Sequence, residues 1–565
     1  MQCQFIRFFV CWISGLEMSN NPIPGPGSGS TSTGSADTMT SSGTTSSTAT
    51  STTTTGSTET TSTNATSTAV CSTDPKSTTS SSTNTDSELL KEKRAKAAEK
   101  KGKTERKITL KTAKGTQDFA PKEMYIRQSV INICTEAFKR HGAEALDTPT
   151  MELLELLGGK YGEEGGKLIY TLEEFGGESL GLRYDLTVPL ARYLAQNKIQ
   201  FFKRWQIAKV FRRDNPVMTK GRYREFLQCD FDIAGSYAPM VPEAECLRVI
   251  FEVLKKLEIG DFEIRINHRK LLEQFFIACD IPEEKFKTVC SSVDKLDKQP
   301  WSEISNELVV QKKIDADSVK RLERFICLRT LHPGKTNEEL LEHLLIKHAA
   351  SDNTIGDIVD DLKDLVGYCH ALGVTNIVFD TCLARGLDYY TGVIYEAVMK
   401  TSTTVGTADD SIPIGSVAAG GRYDNLVKNL AGRNVPCCGV SFGIERLFCY
   451  VKAKYDAQET PLRTVETQVY VGTPQKEMTS ELLAIARQLW DRGIKAEMVM
   501  KANPKLLDQM HYCEDHHIPL AVIIGECELK EGVVKIRNVA TREEVDVRRE
   551  AMVDELLRRL SELRA

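Results

Sequence analysis

The stretch 211-FRRDNPVMTKGRYREFLQCDFDI-233 combines dense positive charge with a strand-like alternation. Four arginines and one lysine fall within its first fourteen residues, 211–224. Along a β-strand, successive side chains point to opposite faces. A strand over 222–233 would therefore have one apolar face, made of Leu227, Cys229, Phe231 and Ile233. The other face would carry Arg222, Arg224, Phe226, Gln228, Asp230 and Asp232.

This polar face separates its cations from its acids along the strand. A solvated face of an antiparallel sheet is a common arrangement, but such a face usually mixes charges of both signs. The separation therefore favours a binding site. Residues 204–213 also predict a strand, and 214–221 a loop, so Arg212 would join the same hairpin.

Two further regions interrupt apolar strands with polar groups and glycines. One is 380-DTCLARGLDYYTGVIYEAV-398; the other combines 419-AGGRYDNL-426 with 436-PCCGVSFGIERLFCYV-451. Glycines at 439 and 443 would let the backbone approach a ligand closely. The sequence has neither a Walker-type loop nor a strand–GxGxxG–helix unit. Arginines and an antiparallel sheet would therefore have to hold any bound nucleotide.

The bulk composition sets limits on function. The 565 residues suggest two to four domains, and a net charge of −5 argues against bulk electrostatic binding of nucleic acid. The sixteen cysteines are scattered, which predicts mostly reduced thiols. Neither Cys437–Cys438 nor the run 513–517 has metal-ligand spacing, so we expect no protein metal site.

The N-terminal fifth of the chain has its own character. Residues 1–18 contain an apolar run too short to span a bilayer, which predicts a targeting segment, secretory or mitochondrial. Met18 offers a second start. Residues 19–87 are rich in Ser and Thr and predict disorder. Residues 88–107 predict either a solvated helical linker or a basic arm that touches RNA phosphates.

The remaining segments predict a folded body. Residues 123–141 have helical periodicity, and 143–154 predict a strand containing Pro149, which a sheet tolerates at an edge or a bend. Residues 183–194 predict a short strand followed by a helix that starts near Pro189. Residues from about 270 to 372 are helical in pattern. Residues 466–565 alternate strand and helix, which predicts a small doubly wound α/β domain.

These segments carry a resemblance that runs from about Leu110 to the C-terminus. Residues 123–154, 204–233 and 439–448 resemble the three motifs of class II aminoacyl-tRNA synthetases, with Arg212, then Arg222 to Phe226, and finally Glu445-Arg446. The segments LARGLDYYTG and GGRYDNL are similar to those of histidyl-tRNA synthetases of the eukaryotic type.

The resemblance implies an organisation and a set of partners. A class II catalytic domain, α+β on an antiparallel sheet, would span 108–455, with a helical insertion at about 270–372 folding over the tRNA acceptor stem. An anticodon-binding domain would span 466–565, and a homodimer would form through 123–154. The protein would work in the cytoplasm and not at a membrane, with a mitochondrial form initiated at Met1.

The resemblance also implies the activity: ATP-dependent attachment of L-histidine to tRNA(His) through histidyl-adenylate, with Mg²⁺ accompanying ATP as a substrate complex. The expected catalytic residues are Arg212 and Arg385. The residues expected at ATP are Arg212, Arg222, Glu225, Phe226 and Arg446. Those expected at histidine are Asp185, Thr187, Arg212, Gln228, Asp232, Arg385, Tyr389 and Tyr390. Asp230 shares the polar face without an assigned role.

Relatives of this family also act as non-catalytic regulators, either as tRNA sensors or as a regulatory subunit in histidine biosynthesis. Such proteins are expected to lose arginines of the ATP site or the histidine-specific segment. Both are intact in this sequence, which favours the enzyme.

Overall fold

The computed structural model describes residues 109–158, 166–172, 177–348, 353–386, 389–400, 415–457 and 462–563. The predictions for the targeting segment, the Ser/Thr-rich tract and the basic arm lie outside these ranges.

A mixed sheet of eight strands forms the centre of the first structural region. In chain order its strands are β1 (Glu144–Ala145), β4 (Phe202–Phe211), β5 (Glu225–Ala234), β6 (Phe262–His268), β7 (Ile377–Phe379), β8 (Val393–Met399), β9 (Ser416–Arg422) and β10 (Cys437–Gly443). The spatial order is β1-β4-β5-β10-β9-β8-β6-β7. The six central strands pair antiparallel, and only the two edge pairs, β1 with β4 and β6 with β7, are parallel. The predicted antiparallel catalytic sheet is confirmed.

The hairpin β4–β5 contains the stretch that opened the sequence. Alternate residues of β5 join the hydrophobic core, and Phe231 stacks on Phe138 with ring centroids 5.6 Å apart. The opposite face of β5 is also buried although it is polar. The predicted start of this strand at 222 is wrong, because Arg222 and Arg224 precede β5. Their backbone groups have other hydrogen-bond partners. Arg222 forms an isolated β-bridge with Val217 across a left-handed turn, and the Arg224 N–H donates to Gly115 O.

Pro149 lies between two strands and not within one. The predicted strand over 143–154 divides into β1 and β2 (Met151–Leu153), and β2 pairs antiparallel with β3 (Leu180–Leu182). Proline has no N–H for a sheet ladder, so the backbone turns away from the large sheet before it reaches Pro149. The carbonyl of Thr148 instead accepts a hydrogen bond of 2.6 Å from Arg183 Nη1.

Helices cover this sheet, and the first begins at a proline. Pro121 suits the first turn because it has no N–H to satisfy there, and Glu123 accepts a hydrogen bond from the Ala120 N–H. Apolar residues at helical spacing, from Ile126 to Phe138, then face the sheet. Outside the segment between β6 and β7, the helices of this region include α1 (Pro121–Arg140), α2 (Thr187–Gln196), α3 (Val241–Leu257), α11 (Asn425–Ala431) and α12 (Ile444–Ala457).

The segment between β6 and β7 is helical, as its pattern predicts. Its buried apolar side chains, such as Leu271 and Leu322, belong to the same core cluster as the sheet. Short 3-10 turns lie at Glu283–Lys285 and Asp294–Asp297, and a π-helical turn at Glu307–Gln311. The α-helices are α4 (Arg269–Ala278), α5 (Phe286–Val293), α6 (Trp301–Asn306), α7 (Ala316–Ile326), α8 (Leu328–Leu331), α9 (Asn337–His348) and α10 (Asn353–Ala371).

The C-terminal region has a separate core built on a five-stranded sheet. Its strands are β11 (Val469–Gly472), β12 (Ala496–Met498), β13 (Leu520–Ile523), β14 (Val533–Asn538) and β15 (Glu544–Arg548), in the order β12-β11-β13-β14-β15. The first three are parallel, and β14 and β15 add an antiparallel hairpin. Its helices are α13 (Thr479–Asp491), α14 (Leu506–Asp515), α15 (Glu526–Glu531) and α16 (Met552–Glu562). The predicted α/β fold is confirmed. Among the residues that the structure describes, no helix is long and apolar enough to cross a bilayer.

Candidate active site

Two adjoining cavities open on the polar face of β5. The larger has a volume of about 310 Å³ and the smaller about 70 Å³. Arg212, Gln228, Tyr389 and Tyr390 line both, so the cavities share a wall. The larger cavity also contains Arg222, Phe226, Arg385 and Arg446. The smaller one also contains Asp185, Thr187, Asp230 and Asp232.

Arg212 lies at the shared wall against two aromatic rings. Its guanidinium carbon is 4.3 Å from the centroid of Tyr184 and 5.1 Å from that of Phe226. Its Nε donates to the Tyr184 carbonyl at 3.1 Å. At the rim, Arg222 Nη2 donates to Asp214 Oδ2 at 3.1 Å. These contacts orient Arg212 and leave Arg222 half in solvent, where it is free to turn towards a ligand.

Arg385 and Arg446 meet at Ser416, on the far side of the larger cavity. Arg385 Nη1 lies 2.9 Å from Ser416 Oγ and 2.7 Å from Glu396 Oε1, and its Nε lies 3.2 Å from Asp294 Oδ1. Arg446 Nη1 donates to the Ser416 carbonyl and lies 3.2 Å from its hydroxyl. Glu396 is buried, does not line the cavity, and is the acidic partner of Arg385.

The electrostatics of the larger cavity favour an anion. Burial lowers the pKa of Arg446, and the neighbouring cations Arg385, Arg222 and Arg212 lower it further. Mutual repulsion among arginines is relieved when a polyanion enters, because arginine forks grip phosphate oxygens in bidentate fashion and keep their charge. The aromatic face of Phe226 adds a stacking surface beside them.

Glu225 is the one predicted site residue that lines neither cavity. It lies at the start of β5, opposite Phe211, and its Oε1 is 2.5 Å from Lys209 Nζ.

Asp232 is the most tightly held acid of the smaller cavity. Its Oδ1 accepts a hydrogen bond from the Tyr423 hydroxyl, and its Oδ2 lies 2.8 Å from Arg204 Nη2. Gly439, directly opposite on β10, makes room for it. A Cβ at Gly439 would lie 1.9 Å from Asp232 Oδ1, so no other residue fits there without moving the carboxylate.

Further polar groups converge on the same cavity. Asp185 Oδ1 accepts hydrogen bonds from the N–H groups of Thr187 and Val188 at 3.0 and 3.2 Å, at the first turn of α2. Gln228 Nε2 donates to Asp230 Oδ2 at 3.3 Å. The cavity therefore presents three carboxylates to a bound molecule, which suits a ligand with several N–H donors.

Tyr389 and Tyr390 close the shared wall, with ring centroids 4.2 Å apart. Burial raises the pKa of both hydroxyls, so they remain neutral donors and acceptors at physiological pH. Gly386 supports this pair: its φ is +65°, and a Cβ there would lie 2.2 Å from the Tyr390 ring.

Glu445 links the larger cavity to the first helix, α1. Its Oε1 is 2.5 Å from Arg127 Nη2, and both carboxylate oxygens accept from the Leu227 N–H, at 3.1 and 3.2 Å. Burial raises the pKa of Glu445, whereas Arg127 opposes that rise. The carboxylate therefore joins α1, β5 and α12 behind the larger cavity.

The family models decide what this site belongs to. One described as Histidyl-tRNA synthetase matches residues 115–447, and one described as Anticodon binding domain matches residues 468–559. The chain belongs to the histidyl-tRNA synthetase family.

Relatives of this family support the assignment over most of the chain. "Histidine--tRNA ligase" of Danio rerio is 51% identical over 468 residues, which cover 80% of this chain and 90% of that one. "Histidine--tRNA ligase, mitochondrial" of Homo sapiens is 50% identical, with 80% and 89% covered. The crystal structure of histidyl-tRNA synthetase from Nostoc sp. PCC 7120 aligns with a TM-score of 0.65 at 28% identity, covering 80% of this chain and all of that one. The matches include both cytoplasmic and mitochondrial forms.

Within this synthetase site, sequence reasoning did not assign several residues. Tyr423 lies inside GGRYDNL, the segment identified as family-specific, so its hydroxyl could have been chosen from the sequence as a candidate site group. Glu396 was visible as an acid within the apolar strand VIYEAV. Arg204 was visible only as a cation at an alternate position of β4. Its register opposite Asp232 depends on the fold.

Metal ligation finds little support among the protein's own side chains. Within the described ranges, no group of three or more His, Cys, Asp or Glu residues is arranged to hold a metal ion. The described cysteines are free thiols.

Proposed function

We propose that this chain attaches L-histidine to tRNA(His), using ATP and passing through histidyl-adenylate. The observation that carries the proposal is the shared wall. A four-arginine cavity suited to a nucleoside triphosphate adjoins a three-carboxylate cavity suited to an amino acid rich in N–H groups. A ligand in each would bring the two reacting groups together at Arg212.

In the first step, a carboxylate oxygen of histidine attacks the α-phosphorus of ATP, and the bond to the β-phosphate oxygen breaks. Pyrophosphate leaves with the bonding electrons. The attacking carboxylate is already an anion, so no side chain has to remove a proton. Catalysis then consists of positioning and of stabilising the charge on the phosphoryl oxygens. Arg212 and Arg385 would supply this stabilisation from two sides of the larger cavity.

The other residues of the larger cavity would hold ATP. Arg446 and the half-exposed Arg222 are suited to the outer phosphates, and Phe226 to the adenine ring. Glu225 would reach the adenine amino group only by leaving Lys209, an exchange that an exposed ion pair permits because such a pair is weak. Mg²⁺ would enter bound to the triphosphate.

The smaller cavity would select histidine by hydrogen bonding. Asp232 would accept from an imidazole N–H, with Tyr389 and Tyr390 as its neutral wall. Asp185, Thr187 and Gln228 would surround the α-ammonium group. A site built on hydrogen bonds strongly rejects ligands that lack the matching groups, because its own buried polar atoms are then left unpaired.

In the second step, a ribose hydroxyl at the 3′ end of tRNA(His) attacks the carbonyl carbon of histidyl-adenylate and loses its proton. The bond from that carbon to the phosphate oxygen breaks, and AMP leaves. The C-terminal region, about 466–565, would bind the anticodon, which agrees with its family model. The helices of 270–372 would cover the acceptor stem, and the basic arm at 88–107 would contact phosphates. Loss of the arm should weaken aminoacylation more at low salt than at high salt, because binding with fewer phosphate contacts depends less steeply on salt.

We further propose a homodimer formed through 123–154. Within this segment Met124, Tyr125 and Met151 are exposed, with 39%, 43% and 52% of their surface accessible. Light scattering should give a dimer for the wild-type chain and a monomer for Tyr125→Glu. A wild-type monomer at micromolar concentration contradicts the proposal.

For location, we propose a cytoplasmic enzyme and a mitochondrial form initiated at Met1. Relatives of both kinds support the pair of locations. A reporter fused to residues 1–40 should enter mitochondria, whereas the same fusion started at Met18 should stay in the cytosol. Entry of the first fusion into the secretory pathway contradicts the proposal.

The decisive experiment for the activity is ATP–pyrophosphate exchange with each amino acid in turn. Exchange should occur with histidine alone, and tRNA(His) should then accept the histidyl group. Arg446→Ala is the matched control for the ATP side of the site, because it removes a cation from the larger cavity and leaves the smaller cavity intact. Exchange driven by another amino acid, or none with histidine, refutes the function.

A further inference from the structure

Arg204 is a completely buried arginine beneath the smaller cavity. It lies on β4, directly opposite Asp232 in the antiparallel register, and has 0% of its surface exposed. Its Nη2 is 2.8 Å from Asp232 Oδ2 and 3.8 Å from Asp230 Oδ2, and it donates to the Leu186 carbonyl at 3.1 Å. Among the described residues its Nε and Nη1 have no hydrogen-bond partner.

A guanidinium in this position is costly if it serves packing alone. Removing a charge from water is energetically unfavourable, and two N–H groups without hydrogen-bond partners add to that cost. Well-packed apolar side chains often replace buried ion pairs without loss of stability. The cost therefore calls for a role that an apolar residue cannot fill.

The acids above Arg204 supply a reason for its charge. Asp230 and Asp232 are two residues apart on one face of β5, and both are buried. Like charges in a shared, poorly hydrated site favour proton uptake by one of them. The pKa of Asp230 is raised to about 7: burial raises it most, Arg204 opposes that rise, and Asp232 adds to it.

We propose that Arg204 is a positioning residue for amino-acid specificity, because its charge keeps Asp232 ionised and directs it at the imidazole. This inference rests on the proposed function. An ionised carboxylate only accepts hydrogen bonds, whereas a protonated one also donates. Tyr423 holds Oδ1 and Arg204 holds Oδ2, so these two contacts fix the direction of the Asp232 carboxylate towards the smaller cavity.

Other titratable and charged groups face this pair from the surrounding elements. They are Asp185 before α2, Arg212 after β4, Tyr389 and Tyr390 before β8, Tyr423 after β9, and Cys437 on β10; Cys229 adjoins Asp230 along β5 on the opposite face. Burial raises the pKa of the four thiol and phenol groups Cys229, Cys437, Tyr390 and Tyr423, so they stay neutral. Among the described residues, Arg204 is the cation that lies within 4 Å of both acids, so the charge balance of the pair depends mainly on it.

The test compares Arg204→Met with the wild-type chain. Loss of the cation should raise the KM for histidine by roughly ten- to a hundredfold, as expected for a lost charge-assisted contact, while the KM for ATP changes less than about twofold. The histidine KM of the variant should also fall as pH rises from 6.5 to 8.5, because the acid pair then loses its extra proton. Wild-type enzyme, assayed in parallel, gives the baseline for histidine's own titration.

Two companion variants separate charge from packing. Arg204→Lys keeps the charge and should retain the wild-type pH dependence even if its KM rises. Adding Asp230→Asn to Arg204→Met removes the like charge beside Asp232 and should recover much of the lost histidine affinity. Thermal unfolding of each variant monitors the fold. If Arg204→Met does not fold, Arg204→Gln, which is equally uncharged, takes its place with the same expected pH dependence.

The inference is overturned if the uncharged variant keeps the wild-type histidine KM, or shows a raised KM with the wild-type pH profile. It is also overturned if Asp230→Asn gives no recovery. Failure of the proposed function looks different, because the wild-type chain itself would then show no histidine-dependent exchange.

Discussion

Arg385→Ala should separate catalysis from binding in this synthetase. The guanidinium lines the larger cavity, where the proposed function places the charge that develops on the phosphoryl oxygens. On that proposal its loss acts mainly in the transition state. Removing one such stabilising group typically lowers kcat by about a hundred- to a thousandfold. Histidine affinity should change little, because Arg385 does not line the smaller cavity.

The partners of Arg385 determine the accompanying loss of stability. Asp294 is 42% exposed, so this ion pair contributes at most about 1 kcal/mol. Glu396 is only 2% exposed and would lose its closest cation, although Arg446 remains nearby. Breaking a buried pair costs about 3–5 kcal/mol, and the remaining arginine places the loss near 3 kcal/mol.

Rapid-quench measurement of adenylate formation, with histidine binding by calorimetry, provides the assay. Asp294→Ala is the matched control: it removes the exposed partner, keeps Arg385, and should leave the rate within about threefold. The double variant Arg385→Ala/Glu396→Gln should recover most of the stability but none of the rate. An Arg385→Ala enzyme with normal kcat and weakened histidine binding would refute the reasoning.

Three other variants test neighbouring parts of the site. Asp232→Ala should raise the KM for histidine sharply in exchange assays and leave that for ATP nearly unchanged; a parallel loss of ATP affinity contradicts this. Gly439→Ala should also weaken histidine binding, because its Cβ would displace Asp232, whereas Gly367→Ala, with no atom within 4 Å, should bind normally. Arg127→Met should lower the free energy of unfolding by about 3–5 kcal/mol, since it leaves Glu445 buried without its cation. Burial raises the pKa of Glu445 above its usual 4.5, so the folded state binds the proton more readily than the unfolded state. Stability therefore falls as pH rises through that window, and denaturant midpoints should show a smaller defect at pH 5 than at pH 7.5; an equal defect at both contradicts this.

Local patterns predicted the elements of this fold, and long-range pairing explains what they missed. The alternation from Leu227 to Ile233 and the helical spacing of 123–141 are properties of neighbouring residues, and both were correct. The predicted start of β5 was wrong because the Arg224 N–H donates a hydrogen bond to the carbonyl of Gly115, which lies more than a hundred positions away in the chain. The prediction of one strand across Pro149 was wrong because strand propensity does not say which of two sheets a short strand will join.

The site follows the same rule. Motif spacing identified the arginines and Asp232 as candidate site residues, but only as separate groups. Their arrangement depends on contacts between distant parts of the chain, such as the hydrogen bond from Tyr423 to Asp232. Arg204 reaches Asp232 only through the register of a hairpin, and no count of charges along the chain reveals that register.

The wall shared by the two cavities has a consequence for inhibitors. A histidine mimic that fills only the smaller cavity has few atoms, and the affinity of so small a molecule is limited. A single molecule that also reaches into the neighbouring 310 Å³ turns its second contact into an intramolecular event, with an effective concentration set by a short linker. Such a hybrid would contact Arg212, Gln228 and the two tyrosines of the wall. It would combine the histidine-like contacts of the smaller cavity with phosphate binding in the larger one.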